Sequence, residues 1–212
     1  MSRVMESSVL ESAVLHPDGV VLLRDFLPAP EQVAFVEEVT AFYFDRGPKH
    51  HGDIGTLLAK KKHQGRYLLG FESAPEFVPS AFQRWGEAAM DAASQLCEAV
   101  PRHFRAVRIN SVLYPSTGML RNHYDNHEGW VVLFSVGCVA RFHLQKGDDR
   151  AHDLEMASGD VLIFNGSTAH QVYHGVQGII PGTAPSHLDP MLQQGRIGLQ
   201  LRGDPEQDVD GG

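Results

Sequence analysis

Cysteine is scarce in these 212 residues: Cys97 and Cys138 are the only two, and they form no Cys-x-x-Cys pair. A disulfide framework and a thiolate-held zinc are therefore not expected, and a reducing, intracellular compartment is. Long apolar runs are also missing. Nothing approaches the roughly 20 residues that cross a bilayer, so no membrane partner is expected. The first eight residues, Met-Ser-Arg-Val-Met-Glu-Ser-Ser, lack a basic flank leading into an apolar stretch, and no secretory signal is read there. Positive charge is short as well, with 18 Lys and Arg against 26 Asp and Glu and a formal net charge of −8. That excludes a uniformly basic surface for polyanions. What remains is 42% apolar and 21% charged, the balance of a folded globular chain. Its length suits one domain, expected over residues 1–202 and expected monomeric.

The shortage of positive charge is uneven. Residues 203–212 hold Asp204, Glu206, Asp208 and Asp210 with no base and read as an acidic, disordered tail. Residues 46–70 hold Arg46, Lys49, Lys60, Lys61, Lys62 and Arg66 against Asp53 alone. This segment is rich in Gly, His and Lys and has no clear period. It reads either as a solvated loop or as a substrate-facing lid, and a basic segment on an acidic body can be a contact surface.

Periodicity orders the rest. Residues 18–27 read as a strand closed by Pro28 and Pro30. Residues 31–44 read as a helix with Val33, Phe35, Val36, Val39 and Phe42 on one face. Residues 79–100 repeat the helical spacing with Phe82, Trp85, Ala89, Ala92 and Leu96, and Pro101 ends them. From Ala106 short β-rich runs take over at 107–114, 130–139, 140–144, 159–164, 171–176 and 196–202. Helices first and short strands after predict an α+β, mainly β fold, a sandwich or jelly roll with N-terminal helices supporting one sheet.

Among 12 histidines, chance alone would give roughly one His-x-Asp, and the sequence holds four: His16/Asp18, His51/Asp53, His123/Asp125 and His187/Asp189. Only His123/Asp125 lies in the β-rich half with further strands, a distal histidine and paired arginines after it. In an extended chain, residues two apart project to one face, so both could reach one ion while Tyr124 points away. Two histidines and a carboxylate with open positions suit non-haem iron(II). His170 and His174 are both candidates for the third ligand. His174 is preferred because it lies mid-strand before Gly175, where the backbone can approach closely. At 196–202, Ile197, Leu199 and Leu201 share one strand face and Arg196, Gly198, Gln200 and Arg202 the other. In isolation that is an outer strand with a wet face. After a metal triad, the two arginines could clamp a dicarboxylate. Tyr114, with Asn110 four residues earlier on the same face, could hydrogen-bond the same ligand.

Together these residues resemble the AlkB family of 2-oxoglutarate dioxygenases over about residues 105–202. Tyr114-Pro115-Ser116 followed by His123-Tyr124-Asp125-Asn126-His127-Glu128 is similar to the family's Tyr…His-x-Asp-x-Asp-Glu stretch. Ser158-Gly159-Asp160 and the strand after it, then Tyr173-His174-Gly175-Val176, resemble its Gly-Asp and distal-histidine strands. The run from Arg196 to Arg202 resembles its Arg-x-Asn-x-Thr-x-Arg. Thr183-Ala184-Pro185 and the Gly195-Arg196 start of the last strand are similar to plant and algal members. Three positions depart: Gly198 stands for the family's Asn, Val112 for the Asn before the Tyr, and His127 for the Asp of DNA-repair members.

The resemblance implies a double-stranded β-helix using Fe(II), 2-oxoglutarate and O2, with His123, Asp125 and His174 on the metal. It implies Arg196 on the distal carboxylate and Arg202 with Tyr114 and Asn110 nearer the metal. It further implies that Asn126, His127, Glu128, Lys60, Lys61, Lys62 and Arg66 face the substrate. That substrate would be N-methylated DNA or RNA, single-stranded, or a nucleobase-like molecule. Hydroxylation of a protein or small metabolite stays open as an alternative, as does a non-catalytic jelly-roll binding module. The acidic body and His127 favour the protein or metabolite reading, and the intact triad and arginine pair oppose the binding module. A cupin-like isomerase would not need the arginine pair.

Overall fold

A computed structural model describes residues 11–44, 54–59, 65–72, 75–125, 128–166 and 171–204. Eleven strands alternate with three helices among them: β1 (Ala13–His16), β2 (Val20–Leu23), α1 (Ala29–Phe44), α2 (Ile54–Ala59), β3 (Tyr67–Glu72), α3 (Ser80–Leu96), β4 (Ala106–Pro115), β5 (Leu120–His123), β6 (Trp130–Gly137), β7 (Val139–Lys146), β8 (His152–Met156), β9 (Val161–Asn165), β10 (Val172–Ile180) and β11 (Gly195–Gly203). The strands make a seven-stranded sheet, ordered β1-β2-β9-β6-β11-β4-β3, and a four-stranded sheet, ordered β5-β10-β7-β8. Every pairing is antiparallel. This is the mainly β jelly roll expected, with the helices supporting the larger sheet. No helix among the described residues is long and apolar enough to cross a membrane.

The larger sheet is covered on both sides, which is why its central strands are buried on both faces. Ile197, Leu199 and Leu201 are fully buried on the face that receives the helices. There α3 packs on β2, β6 and β9, and α1 packs on β6. The opposite face of β11 looks at the smaller sheet and holds Arg196 and Arg202, each 4% exposed. The outer-strand reading of 196–202 is thereby overturned: β11 sits between β6 and β4, and its polar face is enclosed.

Other expectations shift with packing. On α1 the buried stripe is Gln32, Phe35, Val39 and Phe42, while Val33 is exposed. A polar Gln32 is inside because its amide bonds Leu27 O and accepts from Ser158 Oγ. On α3, Leu96 is half exposed, and Ala81, Met90 and Ala93 join the buried face instead. Residues 18–27 are strand only at Val20–Leu23, because the chain turns at Asp25 with a positive φ of 50°. The turn is held by Asp160, which accepts from Asp25 N and Arg24 Nη1. Within the segment read as a loop, Ile54–Ala59 is helical and buries Leu57 and Leu58. Both cysteines are free and buried.

Candidate functional site

Opposite residues of an antiparallel pair share a face. The register sets Arg196 beside Tyr114, Gly198 between Val112 and Ser135, and Gln200 between Asn110 and Leu133. On the smaller sheet it sets His174 between His123 and Leu144. These faces enclose a cavity of about 270 Å³. It is walled by Leu120, Phe142 and Val176 on one side and by Val112, Leu133 and Tyr114 on the other.

On the smaller sheet's wall, His123, Asp125 and His174 converge. One ligand atom from each lies within 4.8 Å of the others. His123 Nε2 is 3.4 Å from Asp125 Oδ1, and His174 Nε2 is 3.8 Å from Asp125 Oδ2. The histidines meet because they are cross-strand neighbours on β5 and β10. That pairing needs Gly175: a Cβ there would lie 2.5 Å from Asn122 Oδ1 and 2.6 Å from Leu120 O. Each ring is fixed from behind. His123 Nδ1 donates to Arg121 O at 3.0 Å and His174 Nδ1 to Val172 O at 2.8 Å. A carbonyl only accepts, so both Nδ1 atoms carry a hydrogen, and in the neutral rings both Nε2 lone pairs are left for the centre of the cluster.

Burial beside Phe164 and Phe142 pushes the His174 pKa down and favours the neutral ligand form. The hydrogen bond to Asp125 raises that of His123. Burial by itself would raise the Asp125 carboxyl, but the His123 hydrogen bond and the Arg202 charge outweigh it and hold it well below the usual carboxylate range.

The larger sheet's wall holds cations and hydroxyls. Arg202 Nη2 donates to Asp125 Oδ2 at 2.6 Å and to Gln200 Oε1 at 3.1 Å. Arg196 donates to Met156 O at 3.1 Å, and among the described residues no carboxylate lies within ion-pair distance of it. Burial brings its pKa down to about 10 and pushes the Tyr114 phenol up to about 12. Three buried polar atoms on residues lining the cavity have no hydrogen-bond partner among the described residues: Asn110 Oδ1, Ser135 Oγ and Arg202 Nη1. Buried polar groups are nearly always satisfied, so this wall is shaped for a polar ligand. Tautomer-locked imidazoles, an ionised carboxylate and a buried arginine without an ion pair among the described residues together fit a divalent metal and an anionic co-ligand.

The structure thus brings together His123, Asp125, His174, Arg196, Arg202, Tyr114 and Asn110. Arg66 lines the cavity mouth from an exposed position, whereas Glu128 is exposed and off the cavity wall. Lys60, Lys61, Lys62, Asn126, His127 and His170 lie outside the described residues, as do His51 and Asp53. His16/Asp18 is tied to Asp149 and Lys146 at another surface, and Asp189 caps a 3-10 turn at Pro190–Gln194. Two cavity residues with hydrogen-bonding side chains escaped the sequence reading, as did the apolar Leu68, Leu120, Leu133 and Phe142. Ser135 sits in a run whose apolar neighbours are as buried as it is, so burial does not mark it out. Tyr124, expected to point away from the ion, packs against Tyr173 with ring centroids 5.1 Å apart just past the end of β5, and it lines the mouth 46% exposed.

Similarities to known proteins agree with this geometry. The chain is 32% identical over 223 residues to the DNA N(6)-methyladenine demethylase ALKBH1D of Arabidopsis thaliana, covering 89% of this chain and 50% of that protein. It is 29% identical over 227 residues to ALKBH1C of the same plant, covering 89% and 49%. The chain therefore spans about half the length of the curated relatives it matches. Among solved structures, OsALKBH1 superposes with a TM-score of 0.66 at 23% identity, covering 90% of this chain and 100% of that one. A Pseudomonas putida prolyl-4-hydroxylase gives 0.52 at 17%, covering 88% and 93%. These two likenesses concern the fold. The model of the 2OG-Fe(II) oxygenase superfamily matches residues 19–202, and the chain belongs to that superfamily.

Proposed function

We propose that the chain is an Fe(II)/2-oxoglutarate-dependent demethylase of N-methylated nucleobases in nucleic acid, with His123, Asp125 and His174 as the metal ligands. The observation that carries it is the pairing of that cluster, across one cavity, with a buried Arg196 that has no carboxylate within ion-pair distance among the described residues. When bound, the metal, 2-oxoglutarate and O2 supply the oxidation, giving succinate, carbon dioxide and a hydroxylated methyl that leaves as formaldehyde. The chain supplies position. Arg121 O and Val172 O hold the imidazoles with Nε2 forward. Tyr114, expected to help Arg202 near the metal, is the cross-strand neighbour of Arg196 instead, so Arg196 and Tyr114 would pair with the distal carboxylate of the co-substrate. Arg202, already against Asp125, meets the end near the metal. Leu120, Phe142 and Val176 keep the reacting carbon away from bulk water.

The nucleobase reading rests on the plant relatives, whose names give DNA N(6)-methyladenine as what they act on. A base reaches a recessed cluster only when unpaired or extruded, which favours single strands. Arg66 at the mouth, with Lys60, Lys61 and Lys62 before it in sequence, supports residues 46–70 as a phosphate-contacting lid. The test is succinate and formaldehyde release with iron and 2-oxoglutarate across methylated DNA and RNA oligonucleotides, peptides and free metabolites. Equal formaldehyde and succinate with an N6-methyladenine strand is the expected result. Coupling only to a peptide or metabolite would overturn the nucleobase reading and leave the dioxygenase in place.

A further inference from the structure

We infer that Tyr124 is a stacking platform for the nucleobase next to the one being demethylated. The inference rests on the nucleic-acid reading above and adds a substrate-positioning residue outside the metal and co-substrate sites. Tyr124 is the large aromatic side chain at the cavity mouth that is left open, 46% exposed where Tyr114 is 6%. An aromatic ring buries a large apolar area when covered, so one half in water beside a reacting cavity is a surface awaiting a flat partner.

The ring does not stand alone. Tyr173 lies behind it, ring centroids 5.1 Å apart at 47°. His143 meets Tyr173 edge-on at 6.4 Å and 85°, and His143 Nδ1 is tied to Asp153 Oδ1 at 2.8 Å. The alternation of β10 explains the row: His174 turns into the cavity, so Tyr173 before it turns to the outer face. The cross-strand neighbour of His174 on β7 is Leu144, so His143 before it shares that outer face with Tyr173. Tyr124, just past the end of β5, folds onto this row at the rim. The row fixes one ring face from behind and leaves exposed ring surface at the mouth.

The occupant is set by what surrounds the rim. Leu68 stands 59% exposed at the same mouth and adds apolar surface, and Arg66 adds a cation. Apolar planes with a nearby guanidinium suit consecutive bases on a phosphate backbone, where base–aromatic stacking tolerates any sequence. The methylated base must reach His123, Asp125 and His174, of which Asp125 and His174 are recessed, with side chains 11% and 5% exposed. Its covalent neighbour then falls at the rim, where Tyr124 is.

The test uses the full chain with Mn(II) in place of iron and 2-oxoglutarate bound. The probe is a single-stranded oligonucleotide carrying one N6-methyladenine and one 2-aminopurine, placed on the 5′ side, on the 3′ side, or in place of the methylated base. Stacking on a ring quenches 2-aminopurine. Wild type and Tyr124→Phe are expected to quench one flanking probe on binding, and Tyr124→Ala to lose that quenching. With iron, Tyr124→Ala is expected to raise KM for the oligonucleotide roughly tenfold with a smaller change in kcat, and Tyr124→Phe to restore it. Flanking quenching unchanged in Tyr124→Ala, or confined to the target position, overturns the platform alone. Wild type that neither binds nor demethylates any oligonucleotide overturns the nucleobase reading, and the platform falls with it.

Discussion

The four-stranded sheet brings lone pairs and negative charge to the cavity; the seven-stranded sheet brings cations and hydroxyls. His123, Asp125 and His174 form the first wall, and Arg196, Arg202 and Tyr114 the second. Facing walls of opposite sign suit a guest that is positive on one side and negative on the other, as a divalent metal holding a dicarboxylate is. The walls meet at Asp125 Oδ2, which accepts from Arg202 Nη2 at 2.6 Å and from Gln200 Nε2 at 3.4 Å. The first wall is built on short β5 and its β10 partner and depends on one close backbone approach. The second is built on a central strand held from both sides. One wall is precise and fragile, the other rigid.

The comparison is broken most severely at His174. His174→Ala removes a buried Nε2 and is expected to abolish metal binding, read as metal content after dialysis, together with 2-oxoglutarate turnover. His170→Ala is expected to keep the metal. Metal retained by His174→Ala and lost from His170→Ala would reverse the assignment. On the opposite wall, Arg202→Ala removes one partner of a buried charged contact, an effect of about 2–5 kcal/mol. The concentration of 2-oxoglutarate needed for half-maximal turnover is expected to rise at least tenfold. An unchanged requirement would show that Arg202 serves only Asp125.

The two walls also differ in how far they could be read from sequence. The larger sheet's chemistry was legible because β11 alternates without a break, so one period assigns Arg196, Gly198, Gln200 and Arg202 to a face. What alternation could not say was whether that face meets water, since this depends on strand order. The smaller sheet was harder. β5 is four residues and β8 is polar on its exposed side, and neither was read as a strand. His123 and His174 were found through spacing and family likeness, whereas the place of Tyr124 at the mouth was not legible because a strand end is invisible to a period-two rule. Val33 and Leu96 were misassigned for a related reason: the helical face that buries is chosen by the sheet beneath it. Gln32 wins its place through two hydrogen bonds, not hydropathy.

Two predictions sharpen the contrast in rigidity. Gly175→Ala would set a methyl against Leu120 O and Asn122, and backbone cannot swing aside as a flexible side chain does. Crowding of this kind costs about 1–3 kcal/mol. β5 is expected to part from β10, lowering both Tm and metal affinity; an unchanged affinity would show that the histidines tolerate strand separation. Arg196→Met is expected to do the reverse to stability. It replaces a buried cation that makes no ion pair among the described residues by an apolar chain of similar length, and trading buried charge for apolar side chains is often neutral or stabilising. The metal-free Tm is expected to rise, by roughly 2–4 °C for each kcal/mol recovered, while 2-oxoglutarate binding is lost. A fall in Tm would mean that Arg196 holds the wall together through Met156 O.

The smallest effect is expected at Gly198, the counterpart of Gly175 on the rigid wall. A Cβ there would lie 3.7 Å from the Tyr114 ring and 3.9 Å from Leu133, ordinary contact distances. Its φ lies outside the left-handed region, so alanine fits the backbone without strain. Gly198→Ala then removes unfolded-state freedom, worth about 0.4–1 kcal/mol in favour of the fold, and takes one methyl of space from the slot between Tyr114, Leu133 and Ser135. The Tm is expected to rise slightly and the 2-oxoglutarate requirement to change less than about threefold, since the methyl meets no charged partner of the co-substrate. A tenfold rise would show that the co-substrate lies directly over Gly198 and reaches Ser135 Oγ. The contrast between the walls would then be one of ligand contact at Gly198 against strand contact at Gly175.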